Sequence, residues 1–139
     1  MTPLSGLVAR KALDVKSSER IVERLCVLLE ARRQAGTGYG ALSAGNVWVD
    51  DDGHVALRED AEPLSGALHD DMVALGVLLW SLPCRRRDVV DRCCDPDPAR
   101  RYQTFPEVAE ALHRSGRAAL WAGIAFIAAA VLFTLLQLV

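Results

Sequence analysis

The stretch Asp71-Met-Val-Ala-Leu-Gly-Val-Leu-Leu79, continued by Trp80, Ser81, Leu82 and Pro83, decides the fold. Residues 72–79 contain no charged and no polar side chain. Asp70 or Asp71 suits the start of a helix here, because an aspartate oxygen accepts the unpaired N–H groups of a first turn. Pro83 ends the run, since proline lacks the N–H that a helix needs. A helix without a polar face must be covered on every side, which places this one at the centre of a small domain.

Upstream, Asn46-Val-Trp-Val49 and His54-Val-Ala-Leu57 flank Asp50-Asp-Asp-Gly53. Two short apolar runs around an Asp-Gly turn form a hairpin pattern. Before it, Ile21, Val22, Leu25, Leu28 and Leu29 repeat at helical spacing, with Arg20, Glu23, Arg24 and Glu30 on the other face. Ser17 or Ser18 is the expected N-cap, the helix ends near Arg33, and Gly36 and Gly38 break the chain. Residues 1–17 read as an N-terminal leader, with a short helix from Leu7 to Leu13. Downstream come a helix near residues 86–93, an Asp95-Pro-Asp-Pro98 turn, and a helix from Phe105 or Pro106 to His113. The expected fold is mainly α with a short β-hairpin, and the domain runs over residues 18–113.

The chain has 139 residues, of which 16 are basic and 18 acidic. That balance gives no electrostatic footprint for nucleic acid. Residues 118–139 hold no charged side chain, and only Gly123, Thr134 and Gln137 fall outside the apolar set. As a helix they would reach about 33 Å, against about 30 Å of bilayer hydrocarbon. The expectation is a C-terminal transmembrane helix behind a basic juxtamembrane linker, residues 114–117. Arg114 and Arg117 in that linker place the N-terminal domain in the cytoplasm. No N-terminal apolar run serves as a signal peptide, which gives a tail-anchored, single-pass arrangement with the lipid bilayer as one partner. The Ala-, Arg- and Leu-rich composition favours a bacterial inner membrane.

Four cysteines in a reducing compartment argue against a disulfide framework. Cys26 reads as core, and Cys84, Cys93 and Cys94 lack the paired spacing of a zinc site. No metal and no cofactor is expected. Asp50-Asp-Asp-Gly53 fails as a calcium loop, because Trp48 would take its first ligand position. Gly36-Thr-Gly-Tyr-Gly40 follows a helix and leads into a hairpin, whereas a phosphate-binding loop follows a strand and opens a helix.

Taken in order, residues 18–113 resemble the C-terminal lobe of a protein kinase. Tyr39-Gly-Ala-Leu-Ser-Ala-Gly-Asn46 is similar to the family's catalytic loop, His-Arg-Asp-Leu-x-x-x-Asn, with Leu42 and Asn46 matching. Asp71 falls where the family holds that loop's backbone, and Gly76 lies in the same central helix. Arg101, closing Asp95-Pro-Asp-Pro-Ala-Arg-Arg101, falls at the family's structural arginine. The departures weigh more. Ala41 stands where the catalytic-base aspartate belongs and cannot accept a substrate proton. The metal-binding Asp-Phe-Gly aligns with Glu59-Asp-Ala61, which leaves Asn46, Glu59 and Asp60 as a degenerate cofactor site. Only residues 62–70 separate it from the central helix, so an activation segment is missing. Glu62 is a candidate partner for Arg101. The first 17 residues are too few for an N-lobe with its glycine loop and lysine.

The resemblance therefore implies a non-catalytic kinase C-lobe, a pseudokinase similar in kind to the KIND domains that reuse this half-fold for protein binding. The expected function is a membrane-anchored protein-binding or regulatory scaffold. Its partner would be another protein, either an active kinase or a membrane-complex subunit. Two alternatives stay open: a small transmembrane subunit whose span is the working part, and residual nucleotide binding or phosphotransfer through Asn46 with Glu59 or Asp60.

Overall fold

The computed structural model describes residues 1–137, and the side chains of all of these except 115–123 and 126. The elements are β1 (Thr2–Pro3), α1 (Leu4–Ala9), α2 (Val15–Gln34), β2 (Val47–Val49), β3 (Val55–Leu57), α3 (Asp71–Trp80), α4 (Arg87–Cys93) and α5 (Phe105–Gln137). Short 3-10 turns lie at Gly66–His69 and Pro98–Arg100. The architecture is mainly helical with one small antiparallel sheet.

Asp70 starts α3: its carboxylate accepts from the N–H groups of Met72 and Val73, at 2.9 and 3.4 Å. Met72, Val73, Ala74, Leu75, Leu78 and Leu79 are buried, and Leu82 beyond the helix end is wholly so. Helix α4 crosses α3 at Gly76. A Cβ at that position would stand 2.5 Å from Cys94 Sγ and 2.8 Å from Cys93 Cβ, so only glycine lets the two helices approach this closely. The expectation of burial all round is corrected at two positions. Val77 and Trp80 are 51% and 58% exposed, because the core and α4 cover only part of the helix surface.

Helix α2 begins earlier than its serines suggest. Asp14 is the N-cap and accepts from the N–H of Ser17 at 2.7 Å, while the Ser18 hydroxyl turns inward to the Asp14 carbonyl, also at 2.7 Å. The α2 stripe of Ile21, Val22, Leu25, Cys26 and Leu29 is buried, as are Phe105, Val108 and Leu112 of α5, the helix against which α2 chiefly packs.

The hairpin forms where the sequence places it, with Val47 opposite Leu57 and Val49 opposite Val55. A third strand was not foreseen. Thr2 pairs with Val49 and Pro3 with Trp48, and Leu4 behind them is fully buried. Residues 1–17 are thus not a detached leader: they supply an edge strand, a core side chain and a helix at Leu4–Ala9 instead of Leu7 to Leu13.

The C-terminal expectation is also corrected. Among the described residues no helix is long and apolar enough to cross a membrane, so the transmembrane anchor and the tail-anchored, single-pass placement with a cytoplasmic domain are not supported. Residues 118–123, 126, 138 and 139 of that stretch lie outside the described side chains. The residues expected as a linker, 114–117, fall within α5 itself. Arg114 pairs there with Glu110 one turn away, and the Arg117 side chain is outside the described set.

Candidate functional site

The loop from Tyr39 to Asn46 leaves α2 and enters β2, and the start of α3 holds it. Both oxygens of Asp71 accept from its backbone, one from the N–H of Tyr39 at 2.7 Å and one from that of Gly40 at 2.8 Å. Gly40 sits at φ +73°, and a Cβ there would run into the His69 ring at 2.8 Å. Position 40 therefore favours glycine by its backbone conformation, and a larger residue would also have to displace the exposed His69 ring. The Gly40 carbonyl accepts from the N–H of Leu64 at 2.8 Å, which draws the polar loop over this turn.

Tyr39 ties the loop to its flanks. Its hydroxyl donates to the Arg58 carbonyl at 2.7 Å, and the Arg32 guanidinium lies over its ring at 5.1 Å. Ala41 and Leu42 point into the core and are each 2% exposed. Where a base would stand there is a buried methyl group. Asn46 turns inward: its side-chain N–H donates to the Ala41 carbonyl at 2.8 Å.

The two carboxylates that would complete a cation site are engaged elsewhere. Arg32 donates to both oxygens of Glu59, at 2.7 and 2.9 Å. The Arg58 Nε donates to Asp60 at 2.8 Å, and this hydrogen bond holds the Asp60 carboxyl below the usual range. Asn46, Arg58, Asp60, Ala61 and Glu62 line one shallow cavity of about 350 Å³. A guanidinium within it repels a divalent cation, and the carboxylate beside it is already neutralised.

Arg101 pairs with Asp70, not with Glu62. Its Nη1 donates to Asp70 at 3.2 Å and its Nε to the Asp95 carbonyl at 2.7 Å, so it links the turn after α4 to the start of α3. The adjacent aspartates divide their roles: Asp70 caps α3 and meets Arg101, and Asp71 clamps the loop.

The hairpin turn brings Asp50, Asp52 and His54 together, with ligand-type atoms within 4.8 Å of one another. Asp50 is occupied in closing the turn, accepting from the His54 N–H at 2.7 Å and lying 2.9 Å from the His54 Nδ1. The Arg24 guanidinium donates to the Gly53 carbonyl beside it. This is a braced turn with a cation already next to it.

Sequence periodicity missed Glu30. Assigned to the polar face of α2, it is 9% exposed and accepts from the backbone N–H of Phe105 at 3.1 Å, at the first residue of α5. Arg33 donates to both of its oxygens, at 3.0 and 2.5 Å. Chiefly through Arg33, and further through the Phe105 N–H, its carboxyl is held down to about 2. Nothing in the sequence signals this contact, because Thr104-Phe-Pro-Glu107 reads as an ordinary capping sequence for α5.

Comparison of the chain with family models, curated proteins and solved structures finds no match. The resemblance to a kinase C-lobe therefore rests on the residues described above.

Proposed function

We propose that the chain is a protein-binding or regulatory module built on a kinase C-lobe-like framework without phosphotransfer chemistry. The observation that carries this reading is the Asp71 clamp. A carboxylate at the start of the central helix fixes the backbone of the loop at Tyr39 and Gly40, yet the next residue of that loop is the buried Ala41. A clamp of this kind is what a kinase-like loop would need, and the side chain that follows it here is a methyl, which supports the non-catalytic reading. Asn46, Glu59 and Asp60 support the same reading, since the Asn46 side-chain N–H, both Glu59 oxygens and one Asp60 oxygen are engaged by neighbours in the chain. What a framework of this kind offers is surface, and the partner is another protein.

Two measurements on the full chain test this. With magnesium and ATP raised to millimolar concentration, the melting temperature should stay within about 1 °C, because a ligand at a hundred times its Kd would add about 2.7 kcal/mol. Saturable stabilisation that disappears in Asn46→Ala would overturn the reading in favour of a nucleotide site. Crosslinking of the purified chain to proteins of its native cell should then give a saturable protein partner. A chain that crosslinks to none would remove the binding-module reading.

A further inference from the structure

A cleft opens between α1 and the link that joins α3 to α4. It encloses about 350 Å³, at the small end of the range for small-molecule sites. Leu7, Val8, Leu13 and Pro83 form its apolar wall, and Lys11 and Arg85 line it as exposed cations. We infer that this cleft binds a single-chain acyl carboxylate, with its chain on the apolar wall and its head against Lys11 and Arg85. The site shares no residue with the Asp71 clamp and goes beyond the protein-binding reading.

The charge of the cleft is positive and unspent. Among the described residues no carboxylate lines it. Three arginines follow Cys84, and two of them are paired, Arg86 with Asp88 and Arg87 with Asp91. Among the described residues the side chains of Arg85 and Lys11 have neither a hydrogen bond nor an ion pair. Asp14, the acid nearest to Lys11 in the sequence, is spent on the N–H of Ser17. Glu19 reaches Cys84 electrostatically and lies outside the lining.

Lys11 is held at the cleft at a cost. Its N–H donates to the Val8 carbonyl at 3.1 Å and that of Ala12 to the Leu7 carbonyl at 3.0 Å, the pair of bonds that ends a helix on a left-handed residue. Lys11 takes that position at φ 51°, alone among the described non-glycine residues. Glycine is the residue such a position favours. A lysine there adds an ammonium to the cleft where glycine would add nothing.

The polar groups around the wall select an acid without peptide bonds. The N–H groups of Lys11, Ala12, Ser81, Leu82 and Arg85 are all engaged within the chain, and Pro83 has none. The Ser81 hydroxyl, also on the wall, donates to the Leu78 carbonyl at 2.7 Å. A peptide laid along this wall would bury amides against Leu7, Val8, Leu13 and Pro83 without partners. A phosphate is held by a cradle of free N–H groups, and these are spent. The two oxygens of a carboxylate match one ammonium and one guanidinium.

The test titrates sodium octanoate, below its micellar concentration, into the full chain and follows calorimetry and the methyl resonances of Leu7, Val8 and Leu13. Binding should saturate at one molecule per chain and move those methyls. Octanol, which lacks the charge, and butyrate, which lacks the chain, should each bind about tenfold more weakly. Arg85→Gln should also cost about tenfold in affinity, while Arg87→Gln, on the paired neighbour, should leave it unchanged. Lys11→Gly should weaken binding likewise without lowering the melting temperature, because it relieves the backbone. Binding lost from a chain at least as stable separates recognition from folding.

No saturation, equal affinity for octanol, or an affinity indifferent to both Lys11→Gly and Arg85→Gln would overturn the site. A lower melting temperature for Lys11→Gly would assign the lysine to its turn and overturn its role as a ligand. Tighter binding of octyl phosphate would overturn the carboxylate. Binding to vesicles of anionic phospholipid without binding of monomeric octanoate would overturn the free acid as occupant. None of these outcomes touches the protein-binding reading.

Discussion

Asp70 and Asp71 carry the same side chain one position apart, and their geometry separates them completely. Asp71 reaches the backbone N–H groups of Tyr39 and Gly40, while Asp70 folds back onto the first turn of α3. Two hydrogen bonds to one ionised acceptor hold a turn that has few other ties. Asp71→Ala should therefore lower unfolding stability by roughly 2–3 kcal/mol, the range for losing hydrogen bonds to a charged group. The urea midpoint should fall with an unchanged slope, and amide exchange should accelerate at Tyr39 and Gly40 more than in β2 or β3. Unchanged exchange at those two amides would mean that the clamp holds nothing. The sequence expectation set Asp71 against the backbone of this loop, and its two hydrogen bonds lie there. The pairing of Arg101 was not legible, because Glu62 and Asp70 are equally plausible by spacing and only the path of the polar loop decides between them.

At the scale of elements, periodicity recovered α2, the hairpin, α3 and α4 to within a few residues, because each is set by local alternation and a local cap. It failed where a partner is distant. Glu30 and Phe105 are 75 residues apart, and no pattern within α2 distinguishes a glutamate facing water from one that receives the first N–H of another helix. This contact joins α2 to the start of α5, and the pair of His113 with Glu23 joins the same helices further along.

The Glu30 contact carries a pH dependence. Its carboxyl titrates near 2 in the folded chain against an ordinary value of 4.5. The stabilisation is fully present above about 4.5, and it is lost progressively as the pH falls toward 2. Asp14, Asp50 and Asp60 are also held below the usual carboxylate value, so the chain as a whole weakens in acid. The difference between wild type and Glu30→Gln isolates one residue. That variant should be less stable at pH 7, and its deficit should shrink as the pH drops from 4.5 to 2. A deficit that stays constant over this interval would show that the Glu30 charge contributes nothing to the joint.

The whole molecule has one core to which α2, α3, α4 and α5 all contribute, and its thiols report on that core from several sides. Cys26 lies on α2, Cys84 follows α3, and Cys93 closes α4; all three are free and buried. Cys94 is the exception, half-buried with its Sγ 3.6 Å from the Val73 carbonyl. Burial pushes the thiols of Cys26 and Cys93 up to about 12 and that of Cys84 to about 11. At pH 8 a thiol of pKa 12 is ionised in about one molecule in ten thousand, and the thiolate is the reactive form. Low ionisation and lack of access act together, so a disulfide-exchange reagent should find one slowly reacting thiol in the native chain. Cys94→Ser should remove it. The other three should react only when the core opens, and at a common rate, because no helix can expose its cysteine without parting from the others. Denaturing urea should release all four at once. If Cys84 reacts well ahead of Cys26 and Cys93 under native conditions, the segment after α3 opens on its own and the core is divided. Equal protection of the three would establish that α2, the segment after α3 and α4 unfold as one unit.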